Sequence, residues 1–260
     1  MSLRQTLDKA RAAGNSAFIP FVMAGDPDMA TSAEIILQLE AAGADMLELG
    51  IPFSDPVADG VTVQKAADRA LQNGATLQGV LEMLKTLRAR GLAMPVCLFS
   101  YLNPVYHMGY ENFIAAAQDA GAQGALIVDL PPEEAEDYLR AASAAGFETV
   151  FLCSPTTSAA RLSAIDAASS GFVYYVSREG VTGAQSTLAA SLAEKLHSLK
   201  GTLQNPVAVG FGISTPQHVA SLRGLADGIV VGSALVKIVE ENGKTAPAAV
   251  AEAARRLAAG

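Results

Sequence analysis

The sequence predicts a single (β/α)8 barrel, a TIM barrel, with an extra helix at its N-terminus. Apolar strand-like runs alternate with Ala-, Leu- and Glu-rich helical segments through eight consecutive units. No shift of composition marks a linker, so residues 1–260 read as one domain, a size at which such barrels are common. Acids and glycines gather just past the predicted strand ends, where barrels of this class place their chemistry. A doubly wound open sheet is the alternative that alternation alone leaves open.

An amphipathic helix over Leu3–Ala12 precedes the first predicted strand, Ala17–Met23. The following strands are predicted at Asp45–Leu49, Pro95–Phe99, Gly124–Val128 and Glu148–Leu152. Phe172–Val176, Pro206–Val209 and Asp227–Val231 complete the eight. Helical periodicity marks Ser32–Ala42, Glu111–Ala120, Pro132–Ala145, Pro216–Arg223, Ala234–Glu240 and Ala246–Leu257 among the intervening segments.

Half the residues are hydrophobic, enough for a substantial core. The net charge of −8 argues against nucleic acid or an anionic membrane surface as partner. No run reaches the ~18 apolar residues of a membrane-spanning helix. Ala17–Gly25 is short, contains Pro20 and serves better as a strand than as a signal peptide. Cys97 and Cys153 lie in strand-like runs and read as buried thiols, which fits a cytoplasmic protein.

The most informative stretch runs from Asp45 to Gly60. Alternation puts Met46 and Glu48 on one strand face and Leu47 and Leu49 on the other. A carboxylate on an apolar strand is costly unless it is partnered or kept neutral. With Asp59 in the loop beyond, Glu48 is a candidate acid/base residue. The bland alternative is a structural Glu48 and an Asp59 that caps the next helix. Asp26, Asp28, Asn103 and Asp129 also follow strands, but such residues commonly open turns and cap helices.

Late glycines suggest an anion site. Gly210–Thr215 follows the seventh strand, Gly232-Ser233 the eighth and Ser177–Gly183 the sixth. Glycine lets backbone N–H groups approach a phosphate, and a helix N-terminus adds partial positive charge. Ser233 stands where it would cap the helix after the eighth strand and offer its hydroxyl to the anion. Ordinary αβ-turn glycine is the alternative at each position. His107, His197 and His218 are far apart, so no metal site is expected. Lys65 and Lys237 fall on helices that read as surface-lying. The residues together indicate acid/base chemistry on a phosphorylated small molecule, with no cofactor in this chain.

Over essentially its whole length the chain resembles the tryptophan synthase alpha subunit family. The resemblance is carried by Phe18–Pro27, Glu48–Pro56 with Ala58–Gly60, and Tyr101–Pro104. Asp129–Pro131, Ser177–Gly183, Gly210–Thr215 and Gly232-Ser233 extend it. Ser100–Asn103 and Cys153–Pro155 vary on segments that differ widely in that family. The resemblance implies retro-aldol cleavage of indole-3-glycerol phosphate to indole and glyceraldehyde 3-phosphate. It implies Glu48, Asp59 and Tyr174 as catalytic residues and Phe21 and Leu126 as walls for the indole. Thr182, Gly183, Gly212, Gly232 and Ser233 would hold the phosphate end. It further implies an alpha-beta-beta-alpha complex with a beta subunit that carries pyridoxal phosphate. Pro52, Asp55 and Arg178 would lie in the two communicating loops, Pro52–Asp59 and Arg178–Ser186. A stand-alone indole-3-glycerol-phosphate lyase, another phosphate-binding barrel enzyme of the pathway, and a non-catalytic phosphoester-binding regulatory subunit are the alternatives.

Overall fold

A computed structural model describes residues 1–177, 185–210 and 212–260. Eight strands close into a parallel barrel in chain order, with the last paired to the first. They are β1 (Ala17–Met23), β2 (Leu47–Gly50), β3 (Val96–Ser100) and β4 (Gly124–Ile127), then β5 (Glu148–Cys153), β6 (Phe172–Val176), β7 (Val207–Gly210) and β8 (Gly228–Val231). Helix α1 (Leu3–Ala12) precedes the barrel and α2 (Met29–Ala41) follows β1. The pair α3 (Val61–Gln72) and α4 (Leu77–Ala89) follows β2, and α5 (Leu102–Met108) and α6 (Tyr110–Asp119) follow β3. Then come α7 (Glu136–Ala145), α8 (Ala159–Ala168), α9 (Gln185–Thr202) and α10 (Pro216–Leu222), one after each of the next four strands. Helices α11 (Ser233–Asn242) and α12 (Ala246–Ala259) close the chain.

The predicted strand alternation divides the apolar residues into two layers. Val22, Leu47, Leu49 and Leu98 face outward and pack with α2 and α4 through Ile36, Leu39 and Leu84. Ile19, Met46, Cys97, Leu126, Val150 and Phe172 fill the barrel interior. Both cysteines are free and buried.

Helix α1 plugs the N-terminal end of the barrel. Leu3 and Leu7 are fully buried and belong to the interior layer. A Cβ on Gly124 would lie 2.7 Å from Leu3 Cδ1, and one on Gly228 would lie 3.3 Å from Leu7 Cδ2. Small residues on the strands therefore make room for the plug. Ser2 and Gln5 form a capping box. The Glu148 carboxylate accepts the Leu3 and Arg4 N–H groups at 2.6 and 3.1 Å, which complements the positive helix end. Sealing this end leaves the opposite, C-terminal mouth as the open one.

Candidate active site

Glu48 sits on β2, in register with Phe21 of β1 and Cys97 of β3. Its side chain points into the barrel and is only 2% exposed. Oε1 has no hydrogen-bond partner among the described residues. Burial, reinforced by the charge of Asp59, pushes the carboxyl up to about 8. Glu48 is therefore a neutral acid at pH 7, with a proton to give.

Asp59 lies at the end of the loop joining β2 to α3, and Gly60 is the N-cap of that helix. The capping alternative for Asp59 thus falls away. Burial pushes Asp59 up to about 6, opposed by the influence of the Tyr101 hydroxyl. At pH 7 it is mostly ionised. Tyr101 also accepts the Ala58 N–H through Oη at 3.1 Å. Gln64 Nε2 donates to the Asp59 backbone oxygen at 2.9 Å, holding the loop from the first turns of α3.

Both acids line a cavity of about 870 Å³ at the C-terminal mouth. Phe21 and Phe99 meet edge to face there, with ring centroids 5.3 Å apart, and Val128 and Leu152 extend the apolar wall. Leu126, expected in that wall, is buried and does not line the cavity. Val128 is the inward-facing residue of the same chain segment one step nearer the mouth, and it takes the place expected of Leu126. Tyr174 lies in the cavity floor. A Cβ on Gly210 would come 2.0 Å from its hydroxyl, so only glycine on β7 lets the ring lie where it does.

Gly212, Gly232 and Ser233 line the same cavity. Gly212 has φ +75°, a conformation that L side chains rarely adopt. Ser233 differs from its expected capping role: Gly232 is the N-cap of α11 and Ser233 its first helical residue. The uncapped first turn presents its free N–H groups at the mouth. Thr182, Gly183 and Arg178 lie outside the described residues. Pro52 is buried beneath the β2–α3 loop, whereas Asp55 is exposed and accepts from Ser54 Oγ at 2.6 Å.

The other acids past strand ends are structural. Asp26 is buried and paired with Arg69 of α3 through two contacts of 2.8 Å. Asp28 caps α2, and Asp129 accepts the Leu102 N–H at the start of α5 at 2.6 Å. Lys65 and Lys237 are 60% and 67% exposed. No cluster of three or more His, Cys, Asp or Glu residues suited to a metal occurs among the described residues. Tyr101 and Phe99 went unnoticed as site residues in the sequence. The usable signal was their position at and just past the end of a barrel strand.

A sequence profile for the tryptophan synthase alpha chain matches residues 7–259. The chain belongs to the tryptophan synthase alpha-chain family. It is 47% identical over 228 residues to the tryptophan synthase alpha chain of Citrifermentans bemidjiense, spanning 88% of this chain and 85% of that one. With the alpha chain of Phenylobacterium zucineum it shares 50% identity, over 88% of this chain and 82% of the other. The crystal structure of the Legionella pneumophila alpha subunit superposes with a TM-score of 0.91 at 38% identity, covering 99% and 97% of the two chains. A chain of the Pyrococcus furiosus tryptophan synthase a2b2 complex gives 0.88 at 42% identity, covering 94% and 98%. Membership gives the chain the alpha-subunit role in L-tryptophan biosynthesis and the character of a lyase.

Proposed function

We propose that the chain cleaves indole-3-glycerol phosphate to indole and glyceraldehyde 3-phosphate. The observation that carries this reading is a buried Glu48 with an unpartnered Oε1 among the described residues, lining one cavity with Asp59, both carboxyls being pushed up by burial. The carbon–carbon bond to C3 of indole breaks readily once C3 is protonated and the ring nitrogen bears positive charge. Glu48 supplies that proton. Asp59 accepts the indole N–H and stabilises the cationic nitrogen. Glu48, now a carboxylate, takes the proton of the glycerol hydroxyl next to the breaking bond. The bonding electrons return to the indole ring, the carbonyl of the aldehyde forms, and Glu48 ends neutral as it began.

The Phe21, Phe99 and Val128 wall suits the indole ring, and Tyr174 orients Glu48 or the substrate. Backbone at Gly212, Gly232 and Ser233 suits the phosphate, with Thr182 and Gly183 as further contributors. A beta subunit carrying pyridoxal phosphate is the partner we assign to the complex, supported by the likeness to a chain of an a2b2 assembly. Val57 and Tyr106, 83% and 71% exposed on segments that follow β2 and β3, offer apolar surface for docking. Pro52, Asp55 and Arg178 belong to the loops we assign to that communication. We place the enzyme in the cytoplasm, in keeping with its two buried free thiols.

The test is indole release from indole-3-glycerol phosphate by the purified chain, with and without a beta subunit. Weak release that rises with the partner is the expected result. Strong release by the chain alone would favour a stand-alone lyase, and no release in either condition would overturn the assignment.

A further inference from the structure

Asp59 sits in a loop whose tip is solvated, since Val57 two residues earlier is 83% exposed. A carboxylate on such a loop needs something to hold it toward the cavity. Tyr101, 2% exposed at the N-cap of α5, touches that loop at two places. Its Oη accepts the Ala58 N–H at 3.1 Å, on the residue next to Asp59, and its ring lies 5.3 Å from that of Phe53. A phenol has a single proton. Accepting from Ala58 leaves that proton free to turn toward the neighbouring Asp59 carboxylate, so one oxygen can serve both the backbone and the acid. The base of Tyr101 is itself anchored, because Asp129 Oδ1 binds the adjacent Leu102 N–H at 2.6 Å.

We propose that Tyr101 is the positioning residue of the site: it latches the loop between β2 and α3 and aims the Asp59 carboxylate into the cavity. This rests on the role given to Asp59 in the proposed reaction. The charged and titratable groups that bear on the latch are Glu48 from β2, Tyr174 from β6 and, beyond Tyr101, Asp129 after β4. Burial and the charge of Asp59 push the Tyr101 hydroxyl upward, so it stays protonated throughout the working range. As a donor it lowers the Asp59 pKa, against the larger effect of burial.

Tyr101→Phe keeps the ring and removes the latch. Two readouts test it, both on the full-length chain. In the first, the Asp59 carboxyl is followed by NMR with 13C-carboxyl aspartate, its signal identified by loss in Asp59→Asn. Its midpoint moves upward from about 6 in Tyr101→Phe. In the second, indole release with the beta subunit is measured from pH 5 to 9. The rate falls roughly 10-fold or more, as for loss of a hydrogen bond to a charged group. The low-pH limb moves to higher pH and the high-pH limb stays put. An unmoved Asp59 midpoint overturns the proposal, as does a rate loss uniform in pH, which marks a merely structural tyrosine. Absence of indole release by the wild type would count against the reaction instead, and the NMR midpoint would still decide the latch.

Discussion

Replacing Glu48 by Gln should make the protein more stable and nearly inactive, and the size of both effects follows from the site. The Glu48 carboxyl has an ordinary value of 4.5 and is pushed up to about 8 by burial and by Asp59. Below pH 4.5 it is neutral whether the chain is folded or not, and the shift has no effect on stability. Between 4.5 and 8 the unfolded chain ionises while the folded one keeps its proton. The folded state then loses about 1.4 kcal/mol for each pH unit. Above 8 both states are ionised and the loss levels off at roughly 5 kcal/mol. Gln cannot ionise, so the variant escapes this penalty. Its advantage over wild type grows with pH through that window and reaches about 3 kcal/mol at pH 7. Urea unfolding of the two proteins at several values from pH 4.5 to 9 measures it. A stability difference that stays constant between pH 5 and 8 would refute the neutral, buried acid. Turnover should fall by ~10²–10⁴ in the same variant, as for loss of a positioned acid/base.

Indole release should follow a bell in pH, rising through about 6 as Asp59 ionises and falling through about 8 as Glu48 loses its proton. A flat profile, or a rate still rising at pH 9, would count against these roles; Asp59→Asn should cost ~10²–10⁴ in turnover. Gly210→Ala places a methyl 2.0 Å from the Tyr174 hydroxyl and must displace the ring. Stability should fall by an overpacking cost of ~1–3 kcal/mol and turnover by roughly 10-fold or more, and unchanged kinetics would show that Tyr174 needs no fixed position. Arg69→Met leaves Asp26 buried without its partner, and thermal or urea unfolding should register a loss of ~3–5 kcal/mol. A loss below ~1 kcal/mol would mean that water takes over the Asp26 carboxylate when Arg69 is removed.

The barrel was legible because two periodicities, of strand and of helix, recur in every unit. Differences arose where side chains substitute for backbone. Alternation predicts the second strand from Asp45, yet β2 begins at Leu47, and the Asp45 carboxylate instead accepts the Phe18 N–H at 2.8 Å. Pro132–Ala145 was predicted as one helix, but Pro132–Glu134 forms a 3-10 turn and α7 starts at Glu136. Ala135 breaks the run with φ −95° and ψ 7°, outside helical geometry, and serves as the N-cap from which α7 begins. Glu48 was readable because an acid in an apolar strand is chemically conspicuous. Tyr101 was not, because its partner Ala58 lies 43 residues away in the chain and only the closed barrel brings them together.

The two ends of the barrel divide the work, which explains why the site could be found by its physical cost. At the plugged end, buried polar groups are matched. Glu148 binds the N-terminus of α1, Asp227 accepts the Val207 N–H and pairs with Lys200, and Asn205 bridges Asp166 and Arg4. At the open end, Glu48 has an unpartnered oxygen and both acids are pushed upward. A structural carboxylate would gain from a cation or a set of N–H donors, as Asp26 and Glu148 do. Among the described residues neither is supplied to Glu48, and the charge set against it is that of another acid, Asp59. That arrangement lowers stability at neutral pH and keeps a proton available beside an apolar wall. Changes at the plugged end, such as Leu3→Ala, should therefore lower stability by ~2–5 kcal/mol and leave both limbs of the pH profile in place. A shifted limb in that variant would show that the plug and the acids are coupled through the barrel interior.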